Sequence, residues 1–175
     1  TITPQRGLVP LGMNRDSGLW EFWHVLSGDR PVKKPNGSWD AAPETGLILI
    51  LVPGGTIRTG PRGDPAAAHD EFEREIDLAP YLLSKYEMTL AQWMRMADEL
   101  PNEYRPGYIP NNVPEFTFTN PVEMVSFASA VTVLSRFDLT LPTEAQWEHA
   151  ARAGTDAPHW FIEVGDELNT SENAS

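Results

Sequence analysis

Cysteine is missing from this chain of 175 residues, so it holds no disulfide, no thiolate metal site and no cysteine nucleophile of its own. No apolar run approaches the ~20 residues of a membrane span, and the N-terminus lacks a basic-then-apolar signal pattern. Basic residues are scarce: 13 Lys and Arg stand against 25 Asp and Glu, a net charge of −12. That balance argues against a nucleic-acid backbone or an anionic membrane as the main partner. Several catalytic signatures are also missing. There is no Gly-x-Ser-x-Gly elbow and no Lys-Ser/Thr after Pro53-Gly54-Gly55, so neither a hydrolase elbow nor a P-loop is supported. His24, His69, His149 and His159 show no ligand spacing, and Glu148-His149 lacks the second His of a zincin helix.

What is present is enough for one domain with a sizeable core, at 41% hydrophobic content. Residues 1–46 are rich in Pro and Gly around one apolar stretch, 19–25, bounded by turn residues, and read as an extension containing a strand. Trp20, Trp23 and Trp39 suit ordinary packing better than an aromatic platform. Residues 47–52 form a buried strand, followed by extended pieces at 56–59, 72–78 and 81–86. Asp70, Glu71, Glu73 and Glu75 are interrupted by Arg74 and read as a solvated face. Thr89 and Gln92 form a capping box for a helix ending near Leu100, with Leu90, Trp93, Met94 and Ala97 on its apolar face. Ser126 caps a second helix with Phe127, Ala130, Val131 and Leu134 on one face.

Between these two helices lies a loop-rich stretch, 101–120, with four prolines and four aromatic residues. Loops of this length inside a compact domain are commonly functional, and Tyr104, Tyr108, Phe116 and Phe118 are its candidate ligand-binding residues.

The most distinctive stretch is Leu141-Pro142-Thr143-Glu144-Ala145-Gln146-Trp147-Glu148-His149-Ala150-Ala151-Arg152-Ala153-Gly154. An extended entry before Pro142 turns into a helix with a Thr143/Gln146 capping box, Glu144 at the positive end of the dipole, Arg152 at the negative end and Gly154 in the left-handed position. Trp147, Ala150 and Ala151 make an apolar face expected in the core, with Glu144 and Glu148 on a polar face.

This stretch closely resembles the Leu-Pro-Thr-Glu-Ala-Glu-Trp-Glu signature of the formylglycine-generating enzyme family, the sulfatase-modifying factors. Other blocks match in order: an apolar run before Pro53-Gly54-Gly55-Thr56, then Glu87-Met88-Thr89 before a helix, then Pro121-Val122 through Val125-Ser126-Phe127. The resemblance spans 47–175, leaving 1–46 as an N-terminal extension packed on the domain, similar to segments found in bacterial multidomain proteins.

The resemblance implies an α+β, loop-rich fold related to C-type lectins, incomplete at the C-terminus by roughly half a domain. Members continue with a Gly-Asn-Val-Trp-Glu-Trp block, and the oxidases add a paired-cysteine copper site that converts a substrate Cys to formylglycine. Neither is here, so no catalytic residue is assigned, and copper enters only with a cysteine-bearing C-terminal segment. Calcium is implied through the family's Ala-Asn segment, for which Asn173 is the carried-over ligand. Two functions follow as expectations for a soluble protein. The first is a non-catalytic recognition module binding a protein, peptide or small ligand through its loops. The alternative is the N-terminal portion of a copper-dependent oxidase completed by a complementary C-terminal segment or second chain.

Overall fold

The computed structural model describes residues 5–61, 72–109 and 114–155. They fall into two compact units, one drawn from Thr1–Val52 and Tyr81–Leu141, the other from Pro53–Pro80 and Pro142–Ser175. Helices and antiparallel sheets occur together, so the expected α+β class holds.

The first unit is built on a four-stranded sheet in the order β1-β2-β3-β6: β1 (Leu8–Met13), β2 (Trp20–His24), β3 (Ile48–Val52) and β6 (Tyr81–Ser84). Every pairing is antiparallel. The β1–β2 hairpin closes because Asn14 Oδ1 accepts the N–H groups of Asp16 and Ser17, an Asx turn. The apolar run at 47–52 becomes the central β3, with Leu47, Ile48, Leu49 and Val52 buried.

Two helices complete this unit. α1 (Leu90–Ala97) starts at the expected capping box, with Gln92 N–H donating to Thr89 Oγ1 at 3.3 Å and Thr89 N–H to Gln92 Oε1 at 3.0 Å. It stops three residues before the expected Leu100. Asp98 enters the left-handed region at φ 55° and returns its N–H to Met94 O, which closes the last turn. Met96 is the buried methionine, while Met94 is half-buried. α2 (Phe127–Ser135) is capped by Ser126 as expected, but its buried face differs. Phe127 and Val131 are exposed, and Val133 and Leu134 meet Trp93 and Met96 of α1 in the core. Met88, Val122, Val125, Phe137, Leu139 and Leu141 flank that cluster. The cluster around Trp93 of α1 therefore decides which side of α2 turns inward.

The second unit pairs β4 (Gly55–Thr59) with β5 (Arg74–Leu78) and adds α3 (Glu144–Arg152). The α3 capping box forms, with Gln146 N–H on Thr143 Oγ1 at 3.3 Å and Thr143 N–H on Gln146 Oε1 at 2.9 Å. Ala153, at φ 49°, takes the left-handed position that ends the helix, and Gly154 follows at φ 84°. The expectation that Trp147 sits in a core is corrected: it is 64% exposed, and α3 has no buried residue. The helix instead engages its unit through Glu148 and Arg152, which hold the backbone at Gly60.

Candidate recognition site

The described parts of the long loop after α1, 101–109 and 114–120, are held by polar groups. Asn102 is buried, its Nδ2 donating to Pro121 O at 3.4 Å and its Oδ1 accepting from Glu123 N–H at 3.0 Å. Tyr104 N–H donates to the Glu123 carboxylate at 3.2 Å. Arg105-Pro106-Gly107-Tyr108 then makes a turn in which Tyr108 N–H returns to Arg105 O at 3.0 Å, with Gly107 at φ 92°. Proline second and a left-handed glycine third are the residues a type II turn demands. The turn feeds a short ladder, Gly107 N–H to Phe116 O and Phe116 N–H to Tyr108 O, both 2.9 Å.

That backbone brings three rings together. Tyr104 stacks on Tyr108 with centroids 5.1 Å apart and planes 21° from parallel, and Phe116 lies 5.2 Å from Tyr104 and 6.2 Å from Tyr108. Such pairs contribute about 0.5–1.5 kcal/mol each beyond simple burial. Yet Tyr104 and Tyr108 remain 38% and 46% exposed, so the cluster is a face presented outward rather than a core. Phe118, the fourth candidate, stands apart. Its carbonyl accepts from Ala91 N–H at 2.9 Å at the start of α1, and its ring is exposed.

The far end of the same loop borders a cleft of about 290 Å³ lined by Trp39, Leu47, Tyr86, Glu87, Gln92 and Pro121 among others. Among the described residues its walls contain no basic side chain. The N-terminal amides of α1 are committed as well, Leu90 to Asn120 O, Ala91 to Phe118 O, Gln92 to Thr89 Oγ1 and Trp93 to Thr89 O. An anion has neither a cation nor a free helix N-terminus to bind here.

Two polar residues fix these walls, and sequence reasoning did not single them out. Arg95 reaches the carbonyls of Ser27 at 3.1 Å, Pro43 at 2.6 Å and Thr45 at 3.2 Å. Burial pulls its pKa down, opposed by the charges of Asp29 and Glu44. Glu21, 1% exposed, accepts from Trp39 Nε1 at 3.0 Å, from Asn14 Nδ2 at 3.0 Å and from Lys85 Nζ. Burial pushes its pKa up, but the Lys85, Asn14 and Trp39 bonds with the Lys85 charge outweigh it, and the net direction is down. Trp39 is thereby locked in the cleft wall. The signals were a lone Glu amid the apolar residues of β2 and a lone Arg in α1.

His24 is buried, with Nε2 3.1 Å from Phe137 O, and His149 lies on α3. His69, His159 and Asn173, the carried-over calcium ligand, lie outside the described residues. Among the described residues no group of three His, Cys, Asp or Glu side chains is placed to hold a metal ion. No described helix is long and apolar enough to cross a membrane.

The family model for the sulfatase-modifying factor enzyme 1-like domain matches residues 37–174. The chain belongs to this family. No curated protein and no solved structure matches it at a significant level. Membership of the sulfatase-modifying factor family accounts for the order of the blocks, from the apolar β3 to the capping box of α3, and it places the aromatic loop and the cleft inside the matched domain.

Proposed function

We propose that this chain is a recognition module on a sulfatase-modifying-factor scaffold, binding a protein or peptide through the loop that carries Tyr104, Tyr108 and Phe116. The observation that supports this most is the convergence of three aromatic rings on a turn whose backbone is pinned at both ends. Aromatic side chains supply large contact area at little entropic cost, and a preformed platform spends less free energy on ordering. Without a cysteine, the chain has no thiolate of its own for the family's copper chemistry.

Panning a random peptide display library against the wild-type chain and a Tyr104→Ala/Tyr108→Ala variant tests the reading. Peptides enriched on wild type and lost on the variant support it; the same peptides enriched on both overturn it. A parallel assay for aldehyde formation on a cysteine peptide, with copper and oxygen, separates the alternative. Aldehyde that appears when a cysteine-bearing complementary chain is added would make this chain part of an oxidase.

A further inference from the structure

The four-stranded sheet has two edges, and they are built differently. β1 carries Pro10 and a register shift between Pro10 and Gly12. A proline and a bulge are two devices that stop an edge strand from pairing with another chain. β6, Tyr81-Leu82-Leu83-Ser84, has neither, nor any charged residue, and its register with β3 is unbroken over four positions.

The direction of its backbone groups follows from one bond. Lys85 N–H donates to Ile48 O at 2.8 Å. In an antiparallel ladder alternate residues face the partner, so Leu83 and Tyr81 bond towards β3, and Leu82 and Ser84 turn their N–H and C=O groups outward. Among the described residues β3 is the sole strand beside β6, and no described backbone group meets the outward groups of Leu82 and Ser84. All four side chains are half-buried, so both faces continue as a partly apolar shelf at the edge.

We propose that the β6 edge is a docking edge for an extended segment of another protein, apolar in alternation and flanked by basic residues. The outward ladder accepts only extended backbone, and the half-buried leucines favour apolar side chains on the incoming strand. Charge selects the flanks. Lys85 is committed to the buried Glu21, which leaves exposed Glu87 as the charge at the strand's exit, on a chain whose net charge is −12. A second copy would bring the same negative charge and be repelled at long range. This inference does not use the three rings of the aromatic loop, although Ser84 and Glu87 also line the cleft at that loop's far end.

Amide hydrogen exchange on the full chain, followed residue by residue by NMR, tests it with the synthetic peptide Lys-Val-Thr-Val-Thr-Val-Lys as probe. In the dilute free chain the Leu82 and Ser84 amides should exchange rapidly while Leu83 is protected. The peptide should slow the outward pair by about tenfold or more, and a Glu-flanked version should not. Leu82→Pro removes an outward N–H only, so the β3 ladder stays and the peptide's protection of Ser84 is lost. Leu82→Lys, which keeps the N–H but places a charge on the edge, should weaken the peptide in the same way. Protected Leu82 and Ser84 amides in the free chain, no slowing at saturating peptide, or equal slowing by the acidic peptide would each overturn the proposal. So would protection that rises with protein concentration alone, which would make a second copy the occupant.

Discussion

Arg152 donates to Glu148 across one turn of α3 at 2.7 Å, and the two side chains together hold both polar groups of one peptide position. Glu148 accepts Gly60 N–H at 3.1 Å, and Arg152 donates to Gly60 O at 2.8 Å. The helix of the signature is thereby fastened to the end of β4 by charge-assisted hydrogen bonds, and Trp147 is left facing out.

Glu148→Gln should therefore destabilise the second unit by about 1–2 kcal/mol, since an amide keeps the shape but loses the charge that orders Arg152. Gly60→Ala should cost at least as much. Its φ is 103°, and an added Cβ would lie 2.8 Å from Phe72 O. Urea denaturation of both variants, with amide exchange at Gly60, checks this. A Glu148→Gln chain with unchanged stability would show that the clamp contributes nothing.

Glu21 should matter more. Glu21→Leu strands three donors at once, Trp39 Nε1, Asn14 Nδ2 and Lys85 Nζ, and should cost about 3–5 kcal/mol. The carboxyl is held below its ordinary 4.5 because the Lys85, Asn14 and Trp39 bonds and the Lys85 charge outweigh the opposing effect of burial. Its contribution is present in full above pH 4.5 and is lost as pH falls through the folded value. Glu21→Gln should flatten that acid limb of the stability profile, and a limb unchanged in the variant would assign it to other carboxylates.

These two clusters also mark what could be read in advance. Capping boxes at Thr89 and Thr143 and the N-cap at Ser126 were legible, because a cap is a contact between residues three apart. The strand at 47–52 was legible from its apolar run. Which face of a helix turns inward was not, as Phe127 and Trp147 show, because that choice belongs to distant residues such as Trp93 or Gly60. In the candidate site, the four aromatics were visible as a loop composition. That three of them meet, and Phe118 does not, depends on the turn at Gly107 and the ladder to Phe116. Glu21 and Arg95 each act on residues more than fifteen positions away, beyond the reach of any local pattern.

His24 sets a second pH dependence. Burial pulls its pKa below the ordinary 6.5, with the Phe137 carbonyl and the charge of Asp138 opposing. The folded chain thus binds this proton less readily than the unfolded chain. Stability from the neutral ring is full above pH 6.5 and is lost as pH falls through the folded value. Among the described residues the buried Nδ1 has no partner, so protonation would add a second N–H with no described acceptor. His24→Phe should remove the loss of stability between neutral and mildly acidic pH while costing the bond to Phe137 O. Measuring urea midpoints from pH 5 to 8 separates the two effects, since one is pH-dependent and the other is not. A wild-type midpoint that does not move across that range would refute the assignment.

Gly107 offers a way to disturb the recognition loop without touching an aromatic ring. Its φ is 92°, a conformation that disfavours a side chain, yet among the described residues no atom lies within 4 Å of where a Cβ would sit. Gly107→Ala therefore adds backbone strain of about 1–2 kcal/mol and no clash. The strain falls on the turn that sets Tyr108 against Phe116, so it should be relieved locally, by opening the Gly107–Phe116 ladder, while the core around Trp93 stays intact. Amide exchange should speed up at Gly107 and Phe116 and stay unchanged at Trp93. Any peptide selected on the wild-type chain should bind the variant more weakly in proportion to the opened population. Unaltered exchange at Phe116, or faster exchange at Trp93 as well, would mean that the rings are not held by this turn but by the body of the fold.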